Sequence, residues 1–349
     1  MFSIFAVIKY FTSLSLSTMS TKWITGGNIT IIFVNDSVEK GQNWSGLASK
    51  IGDVSVYAVF LLMALIGNTL VLVIIYRDRR LRTNVNLFIA NMAASDLLFP
   101  TFAIPYRISS ILSGGKWIVH GALGEALCKI VTFTGDISNL VSVLCLVAIA
   151  ADRFDAIVYP MSSQLITKKV RSVILISTWV LPVFFFCPYF YAMKLRSGRN
   201  NATECLFTWG KDLETTYFAQ RSYIFVNFVC FVLLPLLILV VMYSVIIFSL
   251  LKQNSPSTTP AFSTEEQNQR SKENRQVVLL SFVVMSVFVA AFAPYNVYMF
   301  LVIVNSVTLT VGSPFVRISF ILSVSYPAAN PIVYYMFNEK YREGFHKLF

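Results

Sequence analysis

The chain has 349 residues, 56% of them hydrophobic and only 13% charged, with a mean hydropathy of +0.67 and a formal net charge of +11. Soluble domains carry about a quarter charged residues, so the composition is that of an integral membrane protein. The basic residues fall largely in short segments between apolar runs, where they orient helices, and do not point to nucleic acid. Five cysteines are too few for a disulfide scaffold but allow one pair on an oxidising face.

Residues 1–52 are polar and mixed, with a weak apolar start broken by Lys9, a poor signal peptide. Asn28, Asn35 and Asn43 each open a glycosylation sequon, which favours an extracellular arm. Span I covers 53–76, interrupted by Asn68. The four arginines Arg77, Arg79, Arg80 and Arg82 follow at once and should stay cytoplasmic, which puts the N-terminus outside. Span II, 86–108, holds Asn91, Pro105 and, about halfway across, Asp96. A carboxylate at that depth costs about 2.5–3.5 kcal/mol on insertion scales, so Asp96 reads as a buried acid facing the protein interior. Gly114-Gly115-Lys116-Trp117 lies in the next loop. Span III lies between Cys128 and Asp152 and contains Asp136, Ser138, Asn139 and Ser142. Lipid would penalise these groups, so this helix should be surrounded by the others.

Lys168, Lys169 and Arg171 mark a second inner loop before span IV, 172–191, which contains Trp179, Pro182 and Pro188. The polar stretch 194–220 carries a fourth sequon at Asn201 and Cys205. Cys128 and Cys205 alone fall at the outer face, so compartment predicts their disulfide, pinning the stretch over span III. Cys145, Cys187 and Cys230 lie within spans and read as buried small hydrophobes. Span V, 221–251, contains Pro235. Residues 252–274 are rich in Ser, Thr, Pro, Gln and Asn and read as a flexible cytoplasmic loop. Span VI, 275–304, contains Pro294. Span VII, 313–337, contains Pro327, Asn330 and Pro331. Residues 338–349 are amphipathic and too short to span, hence an interfacial helix. The expected fold is an all-α membrane protein, a seven-transmembrane helix bundle over 53–337 with a short interfacial C-terminal helix. It sits in the plasma membrane with its N-terminal arm outside and its C-terminus inside.

Seven spans carry one landmark set each: Gly67-Asn68; Asn91 with Asp96; Cys128 and Asp152-Arg153-Phe154; Trp179; Pro235 and Tyr243; Phe288 and Phe292-Ala293-Pro294-Tyr295; Asn330-Pro331-Ile332-Val333-Tyr334. Over about residues 50–349 this resembles the rhodopsin-like (class A) G-protein-coupled receptors. The resemblance implies a heterotrimeric G protein as partner and a switch built from Asp152, Arg153, Tyr243, Phe288, Phe292, Pro294, Asn330, Pro331 and Tyr334. In it, Arg153 pairs with Asp152 at rest and meets the transducer when the sixth helix swings out. Tyr243 and Tyr334 reach toward Arg153 in the open state. The resemblance also implies an allosteric sodium ion near Asn68, Asp96, Ser142 and Asn330. Phe154 stands where the family has Tyr, Phe292 where it has Trp, and Tyr326-Pro327 where it often has Asn-Ser. Asn274, beside Glu273, stands where some members lock the Arg with a Glu. An arrestin and a receptor kinase would find hydroxyls at Ser255, Ser257, Thr258, Thr259, Ser263, Thr264 and Ser271, since no Ser or Thr follows Tyr335 in this sequence.

Amine receptors of that family carry an Asp seventeen residues before the Asp-Arg pair; here that position is Gly135. Asp136 next to it is rotated by about 100° and points toward a neighbouring helix. Opsins need a Lys in span VII, where the matching position is Val324. The mixed set Arg107, Asp136, Asn139, Glu204, Tyr295, Asn296, Met299 and Arg317 at the outer ends suits an extended peptide, most readily a neuropeptide. Amine or lipid-mediator receptors are the alternative, and a small-solute transporter a distant one. His120 and His346 are the only histidines, and no metal or nucleophile constellation suggests an enzyme.

Overall fold

The computed structural model describes residues 44–159, 166–197, 203–209, 213–253, 264–305 and 314–348. The sequons at Asn28, Asn35, Asn43 and Asn201 lie outside them, as do Ser255, Ser257, Thr258, Thr259 and Ser263. The side chains of Ser271, Glu273 and Asn274 are not described either.

Eight helices dominate. Helix α1 is Trp44–Arg77, α2 Asn84–Leu112, α3 Gly121–Val158 and α4 Lys168–Phe186. A single helical turn, Tyr189–Ala192, leads into strand β1, Met193–Ser197, which pairs antiparallel with β2, Thr203–Phe207. Helix α5 then runs in three stretches, Leu213–Asn227, a π-helical segment Phe228–Leu233, and Leu234–Gln253. Helix α6 is Thr264–Asn305, α7 Pro314–Phe337 and α8 Glu339–His346.

By length and composition alone, five of these can cross a membrane: Gly46–Arg77, Asn84–Leu112, Lys168–Ala192, Phe218–Lys252 and Arg275–Leu301. Helices α3 and α7, with 38 and 24 residues, are also long enough to cross and carry more polar groups. Helix α3 packs on α2, α4, α5 and α6, as its polar content requires, and α7 packs on α1, α2 and α6. Ser138 and Ser142 on α3 are buried, and Ser138 Oγ donates to Ser95 O at 2.7 Å. Close approach has a local cause at Gly67, where a Cβ would lie 2.7 Å from Pro331 Cγ. Only a residue without that atom lets α1 and α7 meet there.

Prolines shape the long helices without ending them. Pro235 has no N–H to offer the preceding turn, and the segment before it widens to π geometry. Pro294 lies inside α6, and Pro327 and Pro331 inside α7. Gly114 and Gly115, at φ of 69° and 88°, supply the left-handed backbone that turns the chain out of α2.

Four sequence expectations need correction. The arm 1–52 is shorter, because α1 already begins at Trp44. The loop 252–274 is also shorter, since α6 begins at Thr264: Glu, Gln, Lys and Arg favour helix even where no membrane demands it. The stretch 194–220 is not a plain polar loop but a hairpin followed by the start of α5 at Leu213. Finally, Cys145 is buried but Cys187 and Cys230 face outward. Lipid and protein interior are both apolar, so residue type alone does not set that orientation.

Candidate functional site

The Cys128–Cys205 disulfide joins the N-terminal part of α3 to β2, with Cα atoms 5.7 Å apart. Trp117 N donates to Thr203 O at 2.8 Å and Thr208 N to Ala192 O at 2.7 Å, so the hairpin is fixed from both sides. Beneath it opens a cavity of about 970 Å³ that reaches in past Phe292 and Phe288 to Met285, Leu239 and Leu146. Arg107, Asp136, Asn139, Glu204, Tyr295, Asn296, Met299 and Arg317 all line it. The sequence could place these residues near one membrane face; the fold brings them around one space.

The cavity's charges are not equivalent. Arg317 on α7 pairs with Asp53 on α1, Nη2 to Oδ1 at 2.6 Å. Asp136 accepts a hydrogen bond from the Tyr189 hydroxyl at 2.5 Å. It thus reaches a neighbouring element, as its rotation from Gly135 implied, yet still faces the cavity. Gly135 itself is buried, 3.9 Å from Phe99 when given a Cβ, so the amine-binding position is turned into α2. Arg107 lays its guanidinium carbon 3.6 Å over the Phe320 ring. Tyr223 stacks on Phe185 at 5.6 Å and contacts Tyr189, Phe207 and Trp209, making an aromatic wall between α4, α5 and the hairpin.

Further in, a closed polar network joins α2, α3 and α7. Asp96 is 1% exposed. Ser142 Oγ donates to its Oδ1 at 3.0 Å and Asn330 Nδ2 to its Oδ2 at 2.7 Å. Asn68 Nδ2 donates to Ala64 O and to Pro327 O, at 2.9 and 2.8 Å. The amide oxygens of Asn68 and Asn330 are buried without a hydrogen-bond partner. The carboxylate, the Ser142 hydroxyl and the orphaned oxygen of the Asn330 amide that contacts it fit a small hard cation, which takes oxygen ligands. Tyr326 packs edge-on against Phe288 and Phe292, with centroids at 4.9 and 5.7 Å, and its hydroxyl meets Met92 Sδ at 3.4 Å. This ring connects two lining residues of the cavity with the network. Alongside, Trp179 Nε1 donates to Asn91 Oδ1 at 2.8 Å, and Asn91 Nδ2 to Thr178 Oγ1 at 2.9 Å.

At the opposite end from the hairpin, Arg153 pairs with Asp152, its Nε 3.2 Å from Oδ2. Asn84 Nδ2 donates to the other oxygen of Asp152 at 2.9 Å, and Arg171 Nη1 donates to Asn84 Oδ1 at 2.8 Å. Tyr243 is buried against α6, its ring 6.2 Å from Phe282. Tyr334 lies tilted against Tyr341 of α8 at 5.8 Å, and its hydroxyl has no hydrogen-bond partner. Helix α8 lies close on α1 because Gly344 leaves room for Ile74. Between α1 and α2, hydrogen bonds from Arg80 hold the Asp78 carboxyl down at about 2.

Sequence reasoning missed Tyr57, Tyr189, Tyr223 and Phe320 as cavity residues. Three are tyrosines in or beside spans near the predicted charged residues, a signal too common to single them out.

Seven membrane-length helices around a ligand-sized cavity, with a disulfide-pinned hairpin at one end and an Asp-Arg pair at the other, define a heptahelical receptor. The chain belongs to the rhodopsin family, the class A G-protein-coupled receptors: the description "7 transmembrane receptor (rhodopsin family)" matches residues 67–334. Among curated relatives it is 31% identical to neuropeptide FF receptor 2 of Rattus norvegicus, over 85% of this chain and 72% of that one. It is 29% identical to the QRFP-like peptide receptor of Branchiostoma floridae, over 83% and 75%. Somatostatin receptor type 2 of Mus musculus is 25% identical over 83% and 74%. The chain is therefore a multi-pass membrane receptor of a family that is not enzymatic.

Proposed function

We propose that the chain is a plasma-membrane receptor for an extracellular peptide, with its N-terminus outside, that activates heterotrimeric G proteins by outward movement of α6. The observation that carries this reading is the convergence of eight predicted residues, four of them charged and of both signs, on one broad cavity under an anchored hairpin. Extended ligands need several separated anchors, and the relatives are named as peptide receptors. Asp136 takes a basic group of the ligand, and the aromatic wall around Tyr189 and Tyr223 supports it.

Ligand contacts with α6 bear on Phe292 and Phe288, and through Tyr326 on the polar network. Pro294, lacking an N–H, makes α6 yield there. The Asp152–Arg153 pair, held by Asn84, keeps Arg153 at rest; release frees it for the transducer, while Tyr243 and Tyr334 turn toward it. Asp96, Ser142 and the Asn330 amide oxygen would hold the sodium ion, which supplies a counter-charge to a buried carboxylate. Glycosylation at Asn28, Asn35, Asn43 and Asn201, and arrestin recruitment through hydroxyls of the third inner loop, belong to the same reading.

The test is G-protein activation in transfected cells by pools of short peptides and of biogenic amines, on wild type and Asp136→Asn. Activation by peptides, weakened in the variant, is the expected result. Activation by amines alone overturns the peptide reading, and sodium-independent ligand affinity overturns the ion.

A further inference from the structure

The cavity is lined by six charged side chains, Lys50, Asp53, Arg107, Asp136, Glu204 and Arg317. Asp53 and Arg317 neutralise each other across α1 and α7. Asp136 has a neutral donor, Tyr189. Arg107 differs from these three. It sits on α2, half-buried, one turn from the end of the helix, and makes no ion pair with any described carboxylate. Its planar group is held flat on Phe320 of α7 by the 3.6 Å stacking contact, with the Tyr57 hydroxyl beside it.

Stacking fixes the plane of a guanidinium but uses none of its five N–H donors, which point outward along the edges. Asp53, Asp136 and Glu204 share the cavity, but no described carboxylate is within ion-pair distance of Arg107, so a ligand carboxylate would gain a direct pair there. The matching shape is a carboxylate, which takes two parallel N–H bonds from one edge. One donor already meets the Tyr57 hydroxyl, which leaves the others for a ligand. A lysine would also supply charge there, but it would have no plane for Phe320 to orient.

We propose that Arg107, backed by Phe320 and flanked by Tyr57, is the seat for a carboxylate carried by the ligand. The ligand is then bipolar: a basic group at Asp136 and an acidic group at Arg107. The carboxylate is either a free C-terminus or an acidic side chain. This rests on the cavity being the peptide site proposed above.

Three peptide pools separate the possibilities: free-acid peptides with no Asp or Glu, amidated peptides with one Asp or Glu, and amidated peptides with no acidic residue. Each is assayed for G-protein activation on full-length wild type, Arg107→Gln and Arg107→Lys at matched surface levels. The expected result is that one carboxylate-bearing pool is the most potent and that Arg107→Gln weakens it roughly 30-fold or more, with Arg107→Lys intermediate. The first pool marks a free C-terminus, the second an acidic side chain. Highest potency in the non-acidic amidated pool, or unchanged potency on Arg107→Gln, overturns the proposal. If all pools are silent the peptide reading fails, and the seat is decided by thermal unfolding of purified receptor with millimolar N-acetylated amino acids. Stabilisation by the free acids but not their amides, in wild type and not in Arg107→Gln, then supports it; equal behaviour of the two proteins overturns it.

Discussion

Two aspartates inside the bundle have opposite surroundings. Asp96 is enclosed, with one carboxylate oxygen on Ser142 and the other on Asn330. Asp136 is half-buried, faces a large cavity, and receives a neutral hydroxyl from Tyr189. The same side chain is therefore part of the fastening in one place and part of the receiving surface in the other. What separates them is whether the lone pairs are already taken by helices that must stay together.

That contrast can be broken most forcefully at Asp96. Asp96→Ala strands the Asn330 amide and the Ser142 hydroxyl in the interior and should cost about 2–4 kcal/mol of stability, read as a fall in thermal unfolding temperature of purified receptor. Asp136→Ala should cost less than about 1 kcal/mol in the same measurement; the reverse order would mean the roles are exchanged. Gly67→Ala tests the closed region from another side. Its new methyl group meets Pro331 and should cost about 1–3 kcal/mol by pushing α1 off α7. Asp136→Asn sharpens the contrast at the open end: peptide potency should drop about 10-fold or more with little change in unfolding temperature. Smallest is Tyr189→Phe, which removes one donor from Asp136 and should shift potency by about 1 kcal/mol or less, with surface expression unchanged.

Much of this was readable in the chain because lipid imposes strong rules. Apolar runs and basic loops located all seven spans, and a polar group within a span announces an interior face, as Asp96, Ser138 and Ser142 do. Contacts between distant segments were not readable. Tyr189 lies 53 residues from Asp136, and nothing in either stretch names the other. The hairpin was hidden because strand pairing between Met193–Ser197 and Thr203–Phe207 leaves no hydropathy signature in a short polar stretch. Tyr326 stood out only as a departure from a family pattern; that its ring bridges Phe288, Phe292 and Met92 needed coordinates. Cys187 and Cys230 show the general limit, since an apolar residue fits lipid and core alike.

The π-helical segment at Phe228–Leu233 acts as a rotational offset. Each residue of an α-helix turns the chain by about 100°, so one extra residue in a turn sets everything before it on a different azimuth from everything after it. In α5 the part before the offset carries Tyr223 onto Phe185, Tyr189 and Phe207, and the part after it carries Tyr243 toward α6. One helix thereby serves two partners that lie in different directions. Removing a single residue such as Val229 would leave both sequences intact yet let only one of those tyrosines find its place.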